Sequence, residues 1–108
     1  MTTTAAPTRT VQMRTYQLAP ELADAFVAWW QGTMPALRAR FGFRIPFAWH
    51  DRDNALFIWG LEVDGDREAF LAAEQAYNDS PERRALKLPD AAMVKSITSG
   101  FAQDALRR

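Results

Sequence analysis

Cysteine is absent from the 108 residues, and histidine occurs once, as His50. Those two shortages exclude a disulfide framework, a thiolate metal site, a cysteine nucleophile and any cluster with metal-ligand spacing. Excess charge is missing as well. Thirteen basic residues balance 13 acidic ones and interleave with them along the chain, so no basic stripe is available to neutralise phosphates or anionic lipid. Nucleic acid and membrane are therefore not expected as partners. No stretch approaches the roughly eighteen uninterrupted apolar residues needed to span a bilayer, and the opening MTTTAAPTRT carries no apolar leader core. A cytoplasmic protein is the expectation.

What is present is apolar and aromatic. Hydrophobic residues make up 48% and aromatics 12% of the chain, too much for a disordered segment and enough for one core. The expected organisation is an N-terminal tail over residues 1–8, one domain over 9–103, and a C-terminal tail over 104–108.

The run from Thr10 to Leu18, TVQMRTYQL, is rich in β-branched and aromatic residues and predicts a first strand. Pro20 stops it and opens a helix from Glu21 to about Arg40, with Leu22, Phe26, Trp29 or Trp30, Thr33 and Leu37 at helical spacing. Pro35 lacks an N–H, so a kink or short break is expected near Met34. Gly42 can cap that helix. Two strands follow, Phe43–His50 and Ala55–Val63, joined through the turn-forming Asp51-Arg52-Asp53-Asn54. After Asp64-Gly65-Asp66, the residues Ala69, Phe70, Ala73, Ala76 and Tyr77 give a second amphipathic helix. Ser80 and Pro81 start a short third helix, and Ala92–Phe101 predicts the last strand.

Strand, helix, strand, strand, helix, strand is an α+β order. With right-handed crossovers it becomes a ferredoxin-like βαββαβ fold, a four-stranded antiparallel sheet with both helices on one face. In the third strand Phe57, Trp59 and Leu61 point one way while Leu56 and Ile58 point the other; in the second, Phe43, Ile45, Phe47 and Trp49 oppose Pro46 and Ala48. Both faces are apolar. Helices cover only one of them, so a homodimer is the economical cover for the other.

The segments MRTYQLAPELADAFVAWW, FGFR, AWHDRDNALFIWGLEVDGDREAF and AYNDSPER together resemble the NIPSNAP family over about Met13 to Phe101. The pieces that carry the likeness are Arg14 and Tyr16, Phe41-Gly42-Phe43, the Trp59 strand and Ser80-Pro81-Glu82-Arg83. None is a catalytic signature. The resemblance implies a dimeric α+β barrel, two sheets packed face to face, with a cavity in each subunit between sheet and helices. Related proteins in that superfamily include cofactor-free monooxygenases, polyketide cyclases, isomerases and haem-binding or haem-degrading proteins, and fold alone does not choose among them.

The residues offer candidates of their own. His50 is the one side chain that titrates near neutrality unaided, which makes it the simplest general acid or base; the plainer reading is a turn histidine facing solvent beside Asp51. Arg14 and Tyr16 share parity on the first strand and could together hold an enolate or carboxylate. An arginine directed into a cavity must otherwise be paired, here with Glu62, Asp64 or Glu74. Trp29, Trp30, Trp59 and Tyr77 could wall a site for a planar ligand, although aromatics at such spacing more often fill a core or an interface. No phosphate loop, Ser-His-Asp order or carboxylate pair points to hydrolysis. The expectation is a cofactor-free enzyme of oxygenase, cyclase or isomerase type, acting on a hydrophobic, aromatic or polyketide-like compound. The alternative is a non-catalytic dimeric binding module. Haem is disfavoured because the single imidazole stands at a strand end.

Overall fold

The structure is a computed structural model that describes residues 8–87 and 91–106. Residues 1–7 of the expected tail, and the last two residues of the chain, lie outside it. In chain order the elements are β1 (Arg9–Leu18), a 3-10 turn (Pro20–Leu22), α1 (Ala23–Ala39), β2 (Ala48–Asp51), β3 (Leu56–Asp64), α2 (Arg67–Asp79), α3 (Pro81–Ala85), a second 3-10 turn (Ala91–Met93) and β4 (Val94–Ala102). The strands form one sheet in the order β2-β3-β1-β4, antiparallel throughout. This is the ferredoxin-like α+β arrangement, with β1 central.

Register decides which residues face the helices. Tyr16 pairs with Phe57 and Ile97, and Arg14 with Trp59 and Ser99, and partners directly opposite in an antiparallel pair share a face. On that face α1 lays Phe26 against Tyr16 and Phe57, and Trp30 against Phe57 and Trp59. From α2, Phe70 meets Phe43 and Phe101. The core is the layer between, where Trp59, Phe26, Phe70, Leu18 and Leu61 are closed off from solvent.

Local chemistry accounts for the element ends. Asp66 caps α2 by accepting from the Ala69 N–H at 3.0 Å. Ser80 accepts from the Arg83 N–H at 3.0 Å and donates to the Tyr77 carbonyl at 2.7 Å, so one hydroxyl ends α2 and starts α3. Gly42 takes a φ of +84°, and the Phe43 N–H then returns to the Arg38 carbonyl at 3.2 Å.

Two expectations change. α1 carries Pro35 without a break; Pro35 and Gln31, whose carbonyl loses its helical partner, are both exposed, and water can satisfy that oxygen. The second strand is shorter than Phe43–His50. Arg44 makes an isolated bridge to Glu62, and regular pairing resumes only at Ala48. The irregular stretch between, with Pro46 unable to donate, breaks the expected alternation: Phe43 turns into the helix-side core, while Trp49, opposite Ile58, faces the other side. Phe47 follows it there, stacked on Trp49 at 5.0 Å and 25°, with its ring where a Gly60 side chain would stand.

The face away from the helices is apolar across β2, β3 and part of β1, and polar where Thr15 and Gln17 pair with Thr98 and Ser96. Val11, Met13, Leu56 and Ile58 lie on it with Phe47 and Trp49, and Met13 and Trp49 are 43% and 65% exposed. At one end it turns polar, where Glu62 accepts from Arg44 Nε at 2.7 Å and Arg9 Nη1 at 3.4 Å.

Candidate functional site

A cavity of about 680 Å³ opens between the sheet and the helices, on the β1–β4 side. β1 contributes Arg14 and Tyr16, α1 contributes Trp29, Trp30 and Arg38, and α2 contributes Glu74 and Tyr77. Trp59 of β3 forms the floor beside Arg14, whose guanidinium carbon lies 5.5 Å from the indole centroid. α3 and the start of β4 close the far side with Arg83 and Lys95.

The polar centre is Glu74. Its Oε2 accepts from Arg14 Nη2 and its Oε1 from Arg38 Nη1, while Arg14 Nε donates to Gln12 Oε1 at 2.8 Å. Of the three carboxylates that could pair with Arg14, Glu74 is therefore its partner. Glu62 and Asp64 stand on the other sheet face and are engaged by Arg44. Arg38 is 3% exposed, and its guanidinium carbon lies 3.7 Å from the Tyr77 ring centroid and 4.8 Å from that of Phe43.

Burial and charge compete across this group. Burial pushes the Glu74 carboxyl up, but the hydrogen bond and charge of Arg38, followed by those of Arg14, outweigh it and hold the group below the ordinary carboxylate range. Burial lowers Arg38 from its ordinary value against the opposing pull of Glu74. Burial also raises the Tyr77 phenol, opposed by Arg38 and Arg83. Two guanidinium ions thus share one carboxylate, and the buried group keeps a positive charge.

The structure brings Arg14, Tyr16, Trp29, Trp30, Trp59 and Tyr77 to one cavity. Trp30 is buried at 5% exposure, whereas the half-buried Trp29 ties its Nε1 to the Lys87 carbonyl at 2.9 Å. His50 is not with them. It stands on β2, the opposite edge of the sheet, across from Phe57, and its Nε2 is buried with no partner among the described residues. Sequence reasoning missed Arg38 and saw Glu74 only as one of three possible partners for Arg14. A signal existed: Phe26, Trp30, Met34 and Arg38 recur every four residues along the buried stripe of α1, and an arginine on such a stripe must meet a counter-charge. Glu74 lies between Phe70 and Tyr77 on the buried stripe of α2 in the same way.

The fold and this sheet–helix cavity place the chain among ferredoxin-like α+β proteins. Solved structures with the same fold include an uncharacterized NIPSNAP domain protein from Burkholderia xenovorans, at TM-score 0.77 and 16% identity over 89% of this chain and 94% of that one. A NIPSNAP family protein from Agrobacterium tumefaciens matches at TM-score 0.76 and 8% identity, over 89% and 92% of the two chains. A candidate antibiotic biosynthesis monooxygenase from Nitrosomonas europaea matches at TM-score 0.67 and 10% identity, over 95% and 96%. No protein-family model and no curated protein matches the chain. Among the described residues no helix is long and apolar enough to cross a membrane.

Proposed function

We propose that this chain is a homodimeric small-molecule enzyme of the cofactor-free oxygenase, cyclase or isomerase type, acting on a hydrophobic, aromatic or polyketide-like compound in the sheet–helix cavity. The observation that carries the reading is an aromatic-walled cavity with an arginine pair converging on one carboxylate at its side. Trp29, Leu86 and Ile97, which line the cavity and keep part of their surface open, offer apolar surface to a planar ring. Arg14 lies beside it to stabilise negative charge developing on a substrate oxygen in a water-poor space, and Tyr16 supplies a hydroxyl for hydrogen bonding. Likeness to a candidate monooxygenase supports the class of chemistry. The apolar outer sheet face supports the dimer, because monomers seldom leave so much connected apolar surface in water.

A second reading, a dimeric binding module without turnover, is favoured by one observation: His50, the sole imidazole, is outside the cavity. The two separate in one experiment, in which an anthrone in aerated buffer is followed by tryptophan fluorescence for binding and by an oxygen electrode for turnover. Quenching with oxygen uptake, both lost in Arg14→Met, supports the enzyme. Quenching without uptake removes the oxygenase, and anthrone recovered unchanged from the same incubation selects the binding module for this compound class; an unchanged signal at saturating anthrone counts against the cavity as its site.

A further inference from the structure

The charges around the cavity do not balance, although those of the whole chain do. Among the described residues, four cationic side chains line it, Arg14, Arg38, Arg83 and Lys95, against one carboxylate, Glu74. Arg14 and Arg38 both spend a nitrogen on Glu74. Arg83 and Lys95 take part in no ion pair among the described residues. Arg83 is also drawn into the cluster: its guanidinium carbon lies 6.0 Å from the centroid of the Tyr77 ring that Arg38 covers at 3.7 Å. Two guanidinium groups therefore share one carboxylate, and a third stands beside the phenol that Arg38 covers.

Like charges lining one cavity repel, most strongly where water is excluded. In a chain of zero net charge the same residues could have been neutralised locally, as Arg44 is by Glu62 and Asp64. Arg83, part-buried at the cavity wall, is a cation without a counter-ion among the described residues, and an anion is the group such a cation takes.

We propose that the ligand of this cavity is an organic anion, a planar carboxylate or enolate carried on an aromatic body, and that Arg83 is its specificity-determining partner. This rests on the reading that the cavity is the small-molecule site. The aromatic walls take the ring, and the planar fork of a guanidinium matches a delocalised oxyanion better than an ammonium does. Arg14 and Arg38 hold Glu74 in place, and the surplus positive charge they leave turns the cavity towards acids. Arg83 has no structural ion pair to break and sits on the short α3, so it can be changed without disturbing the core.

The test compares 2-naphthoate with its neutral methyl ester by calorimetry, on the wild-type chain and on Arg83→Met. The acid is expected to bind at least about tenfold more tightly than the ester, the effect of one charge-assisted hydrogen bond in a partly dry site. Arg83→Met is expected to remove most of that preference while leaving the ester's affinity within about twofold. An ester that binds as tightly as the acid, or an acid preference untouched in Arg83→Met, overturns the anion assignment and leaves the cavity as an apolar site. If neither compound binds, the cavity reading and the anion assignment fall together.

Discussion

The guanidinium carbon of Arg38 stands 3.7 Å from the centroid of the Tyr77 ring, and its Nη1 donates past that ring to Glu74 Oε1. Flatness is what makes this fit, since a planar cation can cover Tyr77 and flank Phe43 while its edge reaches a carboxylate. Arg38→Lys keeps the charge but loses the plane. Its unfolding free energy in urea is expected to fall by roughly 1–3 kcal/mol, the range for leaving a buried polar group unpaired. A loss below about 0.5 kcal/mol would show that charge alone suffices there.

Glu74 and Tyr77 predict opposite limbs of a pH–stability profile. The folded-state pKa of Glu74 is depressed, so its contribution is complete above the unfolded carboxylate value of about 4.3 and is lost as pH falls through the folded value. That of Tyr77 is raised, so its contribution is complete below the unfolded value of about 10 and is lost as pH rises through the folded one. Melting temperatures across pH 2–12 should show Glu74→Gln flattening the acid limb and Tyr77→Phe the alkaline limb. Identical profiles for wild type and both variants would contradict these shifts.

Trp59 is 1% exposed and Phe57 2%, and both touch Trp30 at ring distances of 5.3 and 4.9 Å. Truncating either to Ala should cost about 3–5 kcal/mol through lost transfer energy and the cavity left behind. The two losses should not add, because the rings share a neighbour. Denaturant midpoints of the single and double variants check this.

On the outer face, Met13 is flanked in register by Gly60 of β3 and Gly100 of β4. A charge at the centre of that face would be tolerated in a monomer, since Met13 is 43% exposed, and would be buried in a face-to-face dimer at a cost of several kcal/mol. Light scattering on Met13→Glu is therefore expected to give the chain mass where wild type gives twice that, with unchanged circular dichroism. A wild-type chain that runs as a monomer at micromolar concentration would remove the dimer from the proposed function.

The element order, the two apolar faces of the third strand, the cap at Ser80 and the turn at Asp51–Asn54 were legible in the sequence because each is set by neighbours a few residues apart. The continuous apolar run Leu56–Trp59 and the helical spacing of Phe26 and Trp30 are local signals of burial. Parity alone put Arg14 and Tyr16 on one face. Which carboxylate meets Arg14 was not local. Glu62, Asp64 and Glu74 are equivalent as sequence, and only the register of β1 against β3 turned the first two away while α2 brought the third across. The same long-range order separated His50 from the other candidates, because β2 and β4 are opposite edges of the sheet and nothing in the residues around His50 records which edge its strand will occupy. Local spacing fixes what a side chain must be buried in; the pairing of distant strands, decided by the free energy of the whole core, fixes what it is buried with.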